Sequence, residues 1–167
     1  WIQIEEPILV TELSSEDIYS FQKIYKLIFS NKGKIKILLQ TYFGDIRDIY
    51  SEITSIPFNG IGLDFIEGSK NIELIEKNKF PADTFLFAGI VNGKNIWKNS
   101  YEKSMELIEN LRKYAADDKI VLNSSCSLLH IPCSLKYEVK LESKYKKQMA
   151  FAEEKLLELK ELSTVSD

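Results

Sequence analysis

Histidine and cysteine are scarce in this chain: one histidine, His130, and two cysteines, Cys126 and Cys133, in 167 residues. Two cysteines cannot build the disulfide framework on which small secreted domains depend, so a reducing compartment, the cytoplasm, is the expected setting. No apolar run approaches the ~20 residues that cross a bilayer. Trp1-Ile2-Gln3-Ile4 offers neither the basic stretch nor the apolar core of a secretory signal. An initiator methionine is also missing, which fits a chain that begins inside a longer protein. Basic residues are not in excess: 22 against 25 acidic ones give a net charge of −3. That balance lacks the electrostatic footprint of nucleic-acid binding. The densest basic cluster, Lys144, Lys146 and Lys147, is followed by Glu153, Glu154 and Glu158 and reads as a solvated face of one helix.

What the chain does have is the composition of one soluble globular domain, 44% hydrophobic and 28% charged. Short runs rich in Ile, Leu, Val and Phe read as strands: Ile2–Ile4 with Ile8–Val10 just beyond, Ile35–Tyr42, Gly60–Phe65, Thr84–Val91 and Lys119–Asn123. They do not alternate strictly, as expected of strands buried on both faces. Helical spacing fills the gaps. Ile18, Phe21, Tyr25 and Ile28 follow a Ser14-x-x-Asp17 capping signal, and Ile46, Ile49, Tyr50 and Ile53 follow Asp45, the expected N-cap. Further helices are predicted over Lys70–Asn78, Tyr101–Ala115 and Ser143–Leu162, the last with Tyr145, Met149, Ala152, Leu156 and Leu159 facing the core. The result is five β-α units with strand starts about 25 to 35 residues apart, which predicts an α/β fold with a parallel sheet. Periodicity fits an open doubly wound sheet as well as part of an eight-stranded barrel, and a complete barrel takes about 250 residues.

In β/α barrels the active site lies at the carboxyl ends of the strands. Here those positions are Glu5 and Glu6, Thr41 to Gly44, Asp64, Asn92 to Asn95, and Ser124 to Cys126. Glu6, Tyr42, Asp64, Asn92, Asn95 and Cys126 are the candidate cleft-facing residues, although core packing is the simpler role for Tyr42 and Phe43. Cys126-x3-His130-x2-Cys133 offers three soft ligands, but the chain has no second His or Cys cluster to complete a zinc site. A packed loop, with His130 hydrogen-bonded to backbone and Cys133 buried, is expected instead. Asn92-Gly93-Lys94-Asn95 lacks the glycine pattern of a phosphate cradle and reads as an amide-rich turn with Gly93 at positive φ. Glu5 and Glu6 point in opposite directions if extended, so they form no catalytic dyad.

Four segments carry a resemblance. Trp1-Ile2-Gln3-Ile4-Glu5-Glu6-Pro7, Thr41-Tyr42-Phe43-Gly44-Asp45, Val91-Asn92-Gly93-Lys94-Asn95-Ile96-Trp97 and Ser124-Ser125-Cys126-Ser127-Leu128-Leu129-His130-Ile131-Pro132 occur in this order. Together they resemble the amino-terminal domain of cobalamin-independent methionine synthase, the zinc-dependent enzyme that moves a methyl group from 5-methyltetrahydropteroyl-triglutamate to homocysteine. The resemblance implies an incomplete (β/α)8 TIM barrel, about the last five β/α units, over residues 1–162, with 163–167 starting an interdomain linker. It also implies a partner, the carboxyl-terminal catalytic barrel of the same polypeptide. That barrel holds zinc with a His-x-Cys pair, a Glu and a Cys. Their places fall here near Thr41–Phe43, on Asp64 and on Cys126, so Asp64 and Cys126 are degenerate equivalents of zinc ligands. The implied role is a non-catalytic barrel with no metal or cofactor of its own. Zinc and the folate would serve only the full enzyme. Lys94 stands where the family usually has Arg, Glu5 where it commonly has Asp, and Cys133 where an aliphatic residue is usual. Two other readings remain: a uroporphyrinogen decarboxylase-like barrel acting unaided, and a stand-alone folate- or protein-binding module. An open five-strand sheet also predicts self-association through its edges.

Overall fold

The computed structural model describes residues 1–166; Asp167 lies outside the described residues. Five strands form one sheet in the order β1-β2-β3-β4-β5, every neighbouring pair parallel. They are β1 (Ile2–Glu5), β2 (Ile37–Gln40), β3 (Gly60–Asp64), β4 (Phe85–Val91) and β5 (Ile120–Ser124). Between and after them run α1 (Ser15–Asn31), α2 (Tyr50–Ser55), α3 (Asn71–Asn78), α4 (Tyr101–Leu111), α5 (Ser143–Lys146) and α6 (Ala152–Ser166).

Sequential strand order separates the two architectures that periodicity left open. A doubly wound sheet reverses its order at a switch point, whereas a β/α barrel advances one strand at a time. In register, Leu39 lies opposite Ile61, Ile61 opposite Leu86, and Ala88 opposite Leu122. Leu39, Ile61, Leu63, Leu86, Ala88 and Ile90 are buried in a single core with Tyr25, Ile53, Ile75, Ile108 and Leu162 from the helices and Ile49 just before α2. The other face of the sheet carries Trp1, Leu38, Gln40, Phe85 and Phe87. A side chain at Gly62 would fall 2.0 Å from the Gln40 amide oxygen, so the glycine leaves the space that Gln40 occupies. Trp1 reaches across the sheet to Phe85 and Phe87, with ring centroids at 5.9 and 6.1 Å. The fold is thus an open parallel sheet with helices packed on one face, the wall of an incomplete β/α barrel.

Several expectations need correction. Ile8–Val10 is not strand: Pro7–Val10 form a 3-10 turn that starts on the proline, which has no N–H to leave unpaired there. Ile46, Ile49, Tyr50 and Ile53 are all buried as expected, but helix α2 starts only at Tyr50. Asp45 is no N-cap; its two oxygens pair with Arg47 at 2.5 and 2.6 Å. The predicted helix over Ser143–Leu162 is broken. Gln148–Ala150 leave the helix to pair with Ile96–Lys98, and Trp97 bridges Met149 in antiparallel fashion. Its inward face is also different: Leu159 packs on the core as expected, but the buried positions are Phe151, Lys155, Glu158 and Leu162, whereas Tyr145 and Leu156 are exposed. Two of those inward positions are charged, so a search for apolar spacing selects the wrong face. Residues 163–166 complete α6.

Candidate functional site

Parallel strands bring the four quoted segments to one edge, as their carboxyl ends all lie there. Register places Asp64 beside Gly89 and Ser124 beside Val91. Asp64 is buried, and its carboxylate organises two loops. One oxygen accepts from the Ile66 and Glu67 N–H groups at 2.8 and 3.0 Å, the other from the Phe43 N–H at 3.1 Å. Burial raises its pKa above the ordinary carboxylate value, against the pull of these N–H donors. Held in this way, Phe43 has φ of 72°, a left-handed conformation that non-glycine residues seldom adopt. Its ring meets His130 edge-on at 5.5 Å, and Lys94 Nζ lies 5.3 Å from its centroid. Lys94 also pairs with Glu67 at 2.9 Å, so its charge is already answered on the surface.

Asn92 and Asn95 sit half-buried in the loop after β4. Asn92 accepts from the Lys94 and Asn95 N–H groups at 2.8 and 3.0 Å, the turn its residue type predicts. Gly93 is needed for a different reason from the expected positive φ, which it does not adopt. A Cβ there would lie 2.6 Å from the Cys126 carbonyl oxygen and 2.8 Å from its sulfur. Its N–H donates to Ser125 Oγ at 3.1 Å, which joins the loops after β4 and β5. Cys126 is wholly buried, and burial pushes its thiol above the ordinary value.

Strand alternation divides the paired glutamates. Glu5 meets Tyr42, whose hydroxyl lies 3.3 Å from its carboxylate. Burial, then the Glu5 charge, raises the pKa of that phenol. Glu6 departs from the expected cleft position, since its carboxylate accepts from the Tyr25 hydroxyl of α1 at 2.9 Å. Extended backbone sends successive side chains to opposite faces, so Glu5 takes the mouth and Glu6 the helix layer. His130 is exposed rather than bonded to backbone, and Cys133 is exposed rather than buried. Residues not singled out beforehand also serve the site. Asn71 is buried and ties Asp64 to the neighbouring loop, donating to the Asp64 carbonyl at 2.8 Å and accepting from the Ile46 N–H at 3.2 Å. Its only signal in the sequence is its position in the loop-to-helix step after β3.

These residues do not suit a zinc ion. Among the described residues no three His, Cys, Asp or Glu side chains converge. Asp64 is committed to backbone N–H groups, and a buried thiol of raised pKa resists becoming the thiolate that zinc binds.

Comparison with known proteins agrees with this architecture. Residues 1–116 match the family model described as cobalamin-independent synthase, N-terminal domain. The 5-methyltetrahydropteroyltriglutamate–homocysteine methyltransferase of Lactococcus lactis subsp. cremoris (strain SK11) is 50% identical over 165 residues, 99% of this chain and 21% of that protein. The enzyme of the same name from Campylobacter jejuni subsp. jejuni serotype O:23/36 (strain 81-176) is 52% identical over 165 residues, 99% of this chain and 22% of that protein. The chain therefore spans about a fifth of the length of these curated relatives. A solved B12-independent methionine synthase from Shewanella sp. W3-18-1, in complex with selenomethionine, superposes with a TM-score of 0.57. That match covers 87% of this chain and 44% of the other at 12% identity, and it speaks to the fold alone. On the family match over residues 1–116, the chain belongs to the cobalamin-independent synthase N-terminal domain family.

Proposed function

We propose that this chain supplies five of the eight β/α units of the amino-terminal barrel of a cobalamin-independent methionine synthase. The complete polypeptide would transfer a methyl group from 5-methyltetrahydropteroyl-triglutamate to homocysteine, with this barrel shaping the pterin side of the cleft. The reading is carried by half-identity to named methyltransferases over 165 residues. Residues 1–162 form the barrel portion in this reading, and the mouth built from Tyr42, Asp64, Asn92, Asn95 and Cys126 faces the cleft. Catalysis and zinc belong to the second barrel, as the donor set described above is engaged in holding loops. Contact with that barrel is supported by the apolar residues that the carboxyl-end loops leave in solvent: Ile66, Trp97, Leu129, Tyr137 and Val139. Leu129 alone is 92% exposed. The cytoplasm is the proposed location, and no helix among the described residues is long and apolar enough to cross a membrane.

Zinc titration by calorimetry into the reduced, metal-free chain near neutral pH tests the non-catalytic assignment. Only weak surface association is expected. A tight one-to-one site that disappears on Cys126→Ser would overturn it and make this portion a metalloprotein in its own right.

A further inference from the structure

Helix α6 directs a row of charged side chains at the two rim loops. Glu154 accepts from Ser134 Oγ at 3.0 Å and from the Leu135 N–H at 3.2 Å, both in the segment after β5. Lys155 has no exposed surface, and its Nζ donates to the Trp97 carbonyl at 2.9 Å, in the loop after β4. One turn further on, the buried Glu158 accepts from the Asn99 N–H at 3.0 Å. The strap leading into α6 adds backbone bonds. Lys98 N–H donates to the Gln148 carbonyl at 3.0 Å and Ala150 N–H to the Ile96 carbonyl at 2.8 Å. Ala152 and Glu153 N–H groups donate to the Pro132 and Cys133 carbonyls at 3.0 and 2.9 Å.

A buried ammonium is a costly way to fill space. A methionine would occupy much the same volume without desolvating a charge, but alone it would leave the neighbouring Glu158 carboxylate buried without its countercharge. What methionine lacks is the donor to Trp97. We propose that Lys155 is a positioning residue that latches the Asn92–Asn99 loop onto α6, so that the loops after β4 and β5 move as one body. Asn92, Lys94 and Asn95 ride on the latched segment, and Cys126 and His130 on the other. Glu158 is the second catch of the same latch, and Ser125 Oγ on the Gly93 N–H is the hinge-side tie. The mechanical part stands on these contacts alone; its functional consequence rests on the cleft-facing reading above.

The test is hydrogen exchange followed by mass spectrometry on the complete polypeptide, wild type against Lys155→Met. Loss of a charge-assisted hydrogen bond should speed exchange of amides in 93–99 and 148–150 by about tenfold or more. Exchange in β3 should stay close to wild type. Unchanged exchange in both segments overturns the latch, as does acceleration spread evenly over the whole barrel. Glu158→Leu releases the Asn99 N–H from the neighbouring turn, and the same local signature is expected. Should Lys155→Met not fold, that variant decides alone. Steady-state kinetics separate the two layers of the inference. A raised KM for the methyl donor with kcat maintained supports the functional layer. Locally faster exchange with both constants unchanged keeps the latch and removes its link to the cleft.

Discussion

Three backbone N–H groups from two loops end on the Asp64 carboxylate, and burial opposes the charge that attracts them. Because its folded-state pKa is raised, the folded chain holds that proton to a higher pH than the unfolded chain does. The stability this contributes is complete below the ordinary aspartate pKa of about 3.9 and is lost as pH rises through the folded value. Asp64→Asn removes that dependence. Thermal midpoints of both proteins measured upward from pH 4 should show the wild-type advantage shrinking with pH, then levelling off. Asparagine also turns its amide toward an N–H that the carboxylate had satisfied, so Asp64→Asn should cost about 1–3 kcal/mol near pH 4 in urea unfolding. A flat difference between the two proteins over this range would show that Asp64 titrates alike in both states. At this scale the sequence is readable for position but not for contact. Asp64, Asn92, Asn95 and Cys126 stand at or just beyond strand ends on one side of the sheet. The ties between loops, Asp64 to Phe43 and Gly93 to Ser125, join residues 21 and 32 positions apart, and local spacing carries no trace of those. Glu6 is the one candidate that turned aside, and the alternation that turned it was already visible in its neighbour Glu5.

Helix starts were legible where a side chain closes a local bond. Ser14 and Asp17 form a reciprocal capping box: the Asp17 N–H reaches Ser14 Oγ at 3.2 Å, and the Ser14 N–H reaches the Asp17 carboxylate at 2.9 Å. Ser14→Ala should cost about 1 kcal/mol, measured as a lower urea midpoint with an unchanged slope. Contacts with Ser14 hold the Asp17 carboxyl below its ordinary value, so this contribution should fade as pH drops toward and below 4. An Ser14→Ala penalty that is the same at pH 3 and pH 7 would argue against the box. Helix α6 was misread for a physical reason. Its buried positions, Lys155, Glu158 and Leu162, with Phe151 just before the helix, step by four, three and four, as helical burial requires. Two of them are charged, and hydrophobicity therefore ranks the exposed Leu156 and Leu157 above them. The break before α6 was equally hidden, since it is made by pairing with Ile96–Lys98, about fifty residues earlier.

At the scale of the molecule, β1 and β5 are the two outer strands of a parallel sheet. Each presents backbone donors and acceptors along an edge with no further strand beside it. Trp1, Ile2, Ile24 and Leu27 add exposed apolar surface near the β1 side. Exposed edges of this kind pair with other chains, so the chain on its own should scatter light as species larger than a monomer as concentration rises. A sharp monomer at high concentration would mean that its edges are protected. Sheet order was beyond reach of periodicity, which sees each strand but not its neighbours. The family resemblance supplied the barrel, and sequential parallel pairing then matched it.

That pairing order also bears on how the protein is made. Each of β2 to β5 finds a partner in the strand synthesised just before it. Chains leave the ribosome at about 5–20 residues per second, so each new β/α unit emerges within seconds of the edge that receives it. The growing sheet therefore has a single advancing front during translation, while the outer edge of β1 stays open behind it, so the cell has two edges to shield.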